Sequence, residues 1–170
     1  MKRTFVTLVA VGCTLAAIPT ASLAAPPAPA AKMATAKQTK APKTLTVEKE
    51  MAQPVNNVWQ ALTQGPLIEK WLTKNDFKPV VGRKFQFRAD WGVVDGQVLT
   101  VKPNKTLSYT WAAYGLKTIV TWTLTPTKTG TRVRMRQSGF PADQPQYYQG
   151  AEGGWSKFFA NLEQVVAKPN

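Results

Sequence analysis

Lys84-Phe85-Gln86-Phe87-Arg88-Ala89-Asp90-Trp91 alternates, with Phe85, Phe87, Ala89 and Trp91 on one face and Lys84, Gln86 and Arg88 on the other. A period of two over a run this apolar predicts a half-buried strand. The pattern recurs downstream. Asp95 to Val101 is a second strand, ended by the turn Lys102-Pro103-Asn104-Lys105, and Leu107, Tyr109 and Trp111 mark one face of a third. Beyond Gly115, Val120, Trp122 and Leu124 mark a fourth, and Pro126 to Gly130 turns into a fifth over Thr131 to Gln137, where Val133 and Met135 face inward. Closely spaced turn signals with little between them predict an antiparallel meander.

Upstream, Thr44 to Glu50 also alternates and reads as a strand. Pro54 suits the first turn of a helix, and Val55, Val58, Trp59 and Leu62 fall at helical spacing. Gly65-Pro66 breaks that helix and starts a second, short one carrying Leu67, Ile68, Trp71 and Leu72. Downstream, Ser138 to Gly153 is rich in Gly, Pro, Gln and Tyr and reads as a loop, with Tyr147, Tyr148, Gly150, Gly153 and Gly154 suited to a lid or to an ordinary connector. Trp155, Phe158, Phe159, Leu162, Val165 and Val166 then form the broad apolar stripe of a closing helix of about fifteen residues. The expected fold class is α+β: a curved, six-stranded antiparallel sheet whose apolar face is covered by one long C-terminal helix. A curved sheet under a single helix leaves room between them, and a cavity is expected there.

Length and composition set the outer limits. The chain has 170 residues, enough for one domain with little left over. Lys2 and Arg3, the apolar stretch Phe5 to Ile18, Pro19, and the small residues at Ser22 and Ala24 read as a secretory signal over residues 1–24, with cleavage after Ala24. The apolar run is shorter than the roughly 20 residues a spanning helix needs, so the mature chain is not expected to cross the membrane. Residues 25–43, built largely from Ala, Pro, Lys, Thr and Gln, read as an extended linker to a domain over residues 44–170. The expected destination is the periplasm or the exterior. The formal charge is +13, but residues 44–170 keep 16 basic and nine acidic side chains, a milder +7. Histidine is absent and the one cysteine, Cys13, lies in the signal. A His-centred triad, a Cys nucleophile and a His/Cys zinc site are therefore excluded from the mature chain. No metal or other cofactor is expected.

The segment Val58-Trp59-Gln60-Ala61-Leu62-Thr63, followed by Leu67-Ile68-Glu69-Lys70-Trp71, resembles the opening of the START-like helix-grip (SRPBCC) superfamily. The branch it is most similar to is the activator of heat-shock-protein ATPase homologue-like family. Gly96 to Val101 with Pro103, Leu107 to Trp111, Gly130 to Val133, Ser138-Gly139-Phe140 and a closing helix that begins Gly154-Trp155 carry the likeness over roughly residues 45–167. The resemblance implies the order strand, helix, helix, five strands, helix. It also implies a binding module with an apolar cavity under the long helix, while some relatives are cyclases or lyases. The branch is named for a cytosolic chaperone partner, which an exported chain would not meet.

The inward-facing aromatic residues either line a pocket or fill the core. Tyr109, Trp111, Trp122, Gln137 and Trp155 are the ligand-binding candidates, because their polar tips need partners when buried. The expected ligand is a small apolar or aromatic molecule, and the domain reads as non-enzymatic. Asp90, beside Trp91, is the one weak catalytic candidate, a general base at a cavity mouth in the cyclase or lyase alternative. Its bland reading is a solvated turn residue. Arg132, Arg134 and Arg136 alternate, and with Thr121, Thr123 and Thr125 they would form a basic, hydroxyl-rich outer face. That face would suit an anionic envelope surface, or simply protect the sheet from aggregation. Nucleic acid is a poor partner for it, since no aromatic stacking platform shares that side.

Overall fold

The computed structural model describes residues 41–168. The signal assignment and most of the linker assignment lie outside the described residues, and Lys43 already opens the first strand. The chain runs β1 (Lys43–Met51), α1 (Val55–Thr63), α2 (Gly65–Trp71), β2 (Lys74–Asn75), β3 (Lys84–Ala89), β4 (Gly92–Lys102), β5 (Thr106–Ala113), β6 (Leu116–Pro126), β7 (Thr131–Phe140) and α3 (Pro145–Ala167). All strands join one antiparallel sheet in the order β1-β7-β6-β5-β4-β3-β2. The first strand therefore closes against the last, and the meander fills the rest. This is the helix-grip order of strand, helix pair, meander and long helix.

Two expectations need correction. The sheet has seven strands rather than six, because Lys74 and Asn75 pair with Arg88 and Phe87. Two polar residues carry no readable period. Side chains hold them: Thr73 Oγ1 donates to the Arg88 carbonyl, Asn75 Nδ2 donates to the carbonyls of Gly65 and Thr73, and Asn75 Oδ1 accepts from the Phe77 backbone N–H. The closing helix is also longer than expected, 23 residues beginning at Pro145. Proline suits a first helical turn, and the glycines at 150, 153 and 154 lower helix propensity without preventing it. Packing supplies what propensity lacks: Tyr148 meets the Phe140 ring edge-on at 5.5 Å.

Strand alternation sends one side chain of each cross-strand pair into the core. Leu107 faces Trp122, and Trp122 faces Met135, across β5, β6 and β7; all three are buried. The sheet's inner face meets the second half of α3, where Trp155, Phe159, Leu162 and Val166 are buried. Trp122 lies at the centre, with ring centroids 5.6 Å from Trp155, 5.4 Å from Phe159 and 5.9 Å from Trp71. Trp71 in turn donates its indole N–H to the Ala61 carbonyl at 2.8 Å, tying α2 to α1. A register shift in β4 between Val98 and Thr100 is the kind of bulge that bends a strand.

Gly96 on β4 pairs with Phe85 on β3, and the Phe85 ring lies across the space a side chain at 96 would occupy. Gly96→Ala should therefore cost about 2 kcal/mol, read as a lower midpoint in urea denaturation. In a Phe85→Leu background the loss should shrink, because the two residues share the space. Equal losses in both backgrounds would contradict this packing.

Candidate functional site

The first turns of α3 stand over the other end of the inner sheet face, and there the interior is not filled. A cleft of about 340 Å³ opens between Trp111 and Ala113 of β5, Leu116 of β6, Gln137 of β7, and the helix residues Gly150, Ala151, Gly154, Trp155 and Phe158. Trp91, Tyr114, Gln146 and Tyr147 complete its lining. Composition explains the gap. A side chain built at Gly150 would meet nothing within 4 Å, and one at Gly154 only the Phe158 ring at 3.8 Å.

Trp91 and Tyr114 are exposed and belong to two hairpin tips. Tyr114 and Gly115 form a two-residue turn between paired Ala113 and Leu116, both with positive φ (52° and 79°), as the tightest hairpin connections require. That turn brings the Tyr114 hydroxyl against the backbone of Gly92, where any side chain would collide with it. The Tyr147 hydroxyl, from the first turn of α3, donates to the Tyr114 carbonyl at 3.1 Å. Helix and hairpins thus meet at the opening.

The floor is aromatic but carries one polar relay. Trp155 Nε1–H donates to Gln137 Oε1 at 2.5 Å, Gln137 Nε2 donates to Thr118 Oγ1 at 2.8 Å, and Thr118 Oγ1 donates to the Trp111 carbonyl at 3.2 Å. Each member is buried. The indole can only donate and the carbonyl can only accept, so the relay has one possible direction and fixes the Gln137 amide orientation. The Trp155 ring it holds lies 5.4 Å from the Trp111 ring, centroid to centroid.

Of the five residues expected to line a pocket, the structure places Trp111, Gln137 and Trp155 in the cleft and Tyr109 and Trp122 in the core beside it. Tyr109 is surrounded by Phe77, Phe85 and Phe87, with ring centroids 6.0, 5.5 and 6.1 Å away. Its hydroxyl accepts the Trp122 indole N–H at 3.0 Å. Burial pushes the Tyr109 phenol well above its ordinary range. Asp90 is exposed in the turn between β3 and β4 and does not line the cleft. Tyr147, Gly150 and Gly154, read from the sequence as part of a loop or lid, stand on α3. Ala113, Tyr114, Leu116, Gln146 and Ala151 were not singled out by sequence. The two strand residues share the inward period of their neighbours, but nothing local marks them as cavity wall.

The arginine face forms in the expected register. Arg132, Arg134 and Arg136 face Thr125, Thr123 and Thr121 on β6, and Glu50, Glu48 and Thr46 on β1. Glu48 lies 3.7 Å from both Arg132 and Arg134. Among the described residues there is no group of three or more His, Cys, Asp or Glu that could hold a metal ion, and no helix long and apolar enough to cross a membrane.

Comparison with known proteins places these features in a family. Residues 52–167 match the model of the Activator of Hsp90 ATPase homolog 1-like protein family. Protein MLL2253 from Mesorhizobium loti, known from a crystal structure, is 52% identical, with a TM-score of 0.73 over 75% of this chain and 99% of that one. Protein BH1534 from Bacillus halodurans, known from a solution structure, is 24% identical, with a TM-score of 0.66 over 75% of this chain and 99% of that one. DynU16, from the dynemicin biosynthetic locus, is 22% identical, with a TM-score of 0.68 over 74% of this chain and 47% of that one. The last two likenesses concern the fold alone. The search of curated proteins returned no match. The family match spans nearly all of the described fold, from just after β1 to the last residue of α3: the chain belongs to the Activator of Hsp90 ATPase homolog 1-like family.

Proposed function

We propose that this chain is exported and that its folded domain holds a small apolar or aromatic molecule in the cleft beneath the first turns of α3. One observation carries the reading: the helix that closes the core presents Gly150, Ala151 and Gly154 to a floor made of Trp111 and Trp155. Side chains that would plug the space are missing at Gly150 and Gly154. A volume of about 340 Å³ falls at the lower end of the range of small-molecule sites, roughly 300–1,000 Å³. Burying apolar ligand surface against these rings would contribute about 25 cal/mol per Å².

Binding is favoured over turnover by the chemistry of the wall, since no carboxylate and no lysine stands among the lining residues. The one candidate base, Asp90, lies elsewhere, exposed in the turn between β3 and β4. Use of the arginine face for an anionic envelope polymer is a weaker reading. Glu48 lies between two of the three guanidinium groups. Glu50, opposite Arg132, accepts hydrogen bonds from Thr129 and Thr127 that hold its carboxyl below the ordinary range.

The neutral dye N-phenyl-1-naphthylamine should bind saturably at one site, followed by its fluorescence increase. Ala151→Trp, which fills the cleft, should weaken that binding at least tenfold with little change in melting temperature. Unchanged binding would sink the assignment of the site. Tyr109→Phe should do the reverse, lowering stability by about 1 kcal/mol because the Trp122 N–H loses its acceptor, with dye affinity within twofold. For export, N-terminal sequencing of the mature protein should begin at Ala25. A chain recovered from the cell envelope with Met1 intact would contradict cleavage.

A further inference from the structure

We infer that the molecule in this cleft carries a neutral hydrogen-bond acceptor, a ketone or ether oxygen, at its buried end, and that Gln137 Nε2 donates to it. The inference rests on the reading of the cleft as a binding site and adds which chemistry the site selects.

Gln137 is 1% exposed yet lines the cleft. The direction of the relay fixes which end of its amide is which. Oε1 already accepts from Trp155, and one of the two Nε2 protons goes to Thr118. The second Nε2 proton has no partner among the described residues. A buried N–H needs a partner of its own, whereas a carbonyl oxygen with one hydrogen bond is tolerated. The unmet demand at the floor is therefore for an acceptor.

The surroundings narrow the class further. The cleft that Gln137 lines is walled by the Trp111 and Trp155 rings, Leu116 and Phe158 among others, and no Lys, Arg, Asp or Glu is among the lining residues. An ionised group brought to the floor would give up its hydration with no countercharge in reach. A neutral carbonyl or ether oxygen gives up little and gains the free N–H. Charged parts of a larger molecule would point to the opening, where Trp91 and Tyr114 are exposed.

Two probes of nearly the same shape test this: 2-acetonaphthone, and 2-isopropenylnaphthalene, in which a methylene replaces the carbonyl oxygen. Each competes with N-phenyl-1-naphthylamine on the full mature chain. Comparing the ratio of their dissociation constants between wild type and variant cancels their different affinities for water. Gln137→Met and Gln137→Glu should each shift that ratio against the ketone by about fivefold, with the olefin within twofold in the variant that keeps the fold. Equal weakening of both probes would overturn the inference and leave the binding site standing. Failure of the dye and of both probes to bind wild type would overturn the binding reading itself. Should both variants unfold, the wild type still decides by NMR. One Gln137 Nε2 proton should move downfield on saturation with the ketone and not with the olefin, and matching shifts with both probes would refute the donation.

Discussion

One helix must cover the whole apolar face of a bent sheet, and α3 changes composition halfway along. From Trp155 onward it drives Trp, Phe, Leu and Val side chains into the core, and the interior there is filled. Before Trp155 it offers Gly150, Ala151 and Gly154, and the interior stays open. Three glycines within five residues cost helix stability of up to about 1 kcal/mol each relative to alanine. That cost is spread over the part of the helix that roofs the cleft. Core and cleft are thus two halves of one helix–sheet interface.

The polar groups inside this interface are few, and each atom makes at least one hydrogen bond. Trp155, Gln137, Thr118 and the Trp111 carbonyl form one chain of hydrogen bonds, and Trp122 and Tyr109 form a separate pair. No buried side-chain nitrogen or oxygen among the described residues lacks a partner. In an aromatic interior each such bond is costly to break, so the Trp155 ring and the Gln137 amide at the cleft are held in place before anything binds. A preformed site of this kind spends little of its binding energy on ordering side chains.

Much of this fold could be read from the sequence, because the meander obeys a period of two almost without interruption and its turns are marked by Gly, Pro and Asn. The two-residue strand at Lys74-Asn75 could not, since it is polar and is held by hydrogen bonds from Thr73 and Asn75 to distant backbone. The early start of α3 was hidden by its glycines, whose low helix propensity is overridden by Tyr148 packing on Phe140. At the site, Trp111, Gln137 and Trp155 were legible as inward-facing residues with polar tips. Tyr109 and Trp122 obey the same period, so strand register alone could not separate cleft from core. What separates them is the position of the glycine-rich turns above, a tertiary fact. Tyr114 escaped notice for a different reason: its role comes from a left-handed turn that aims it at Gly92.

The central claim is that the space under Gly150 to Gly154 is open in solution and receives a molecule from outside. It is tested most directly by intermolecular nuclear Overhauser effects between a bound neutral naphthyl ketone and isotope-labelled protein. The account predicts contacts to the Ala151 methyl group and to the Trp155 indole ring, with none to Tyr109. Contacts confined to exposed residues such as Val80 and Val81, with Ala151 silent, would contradict it.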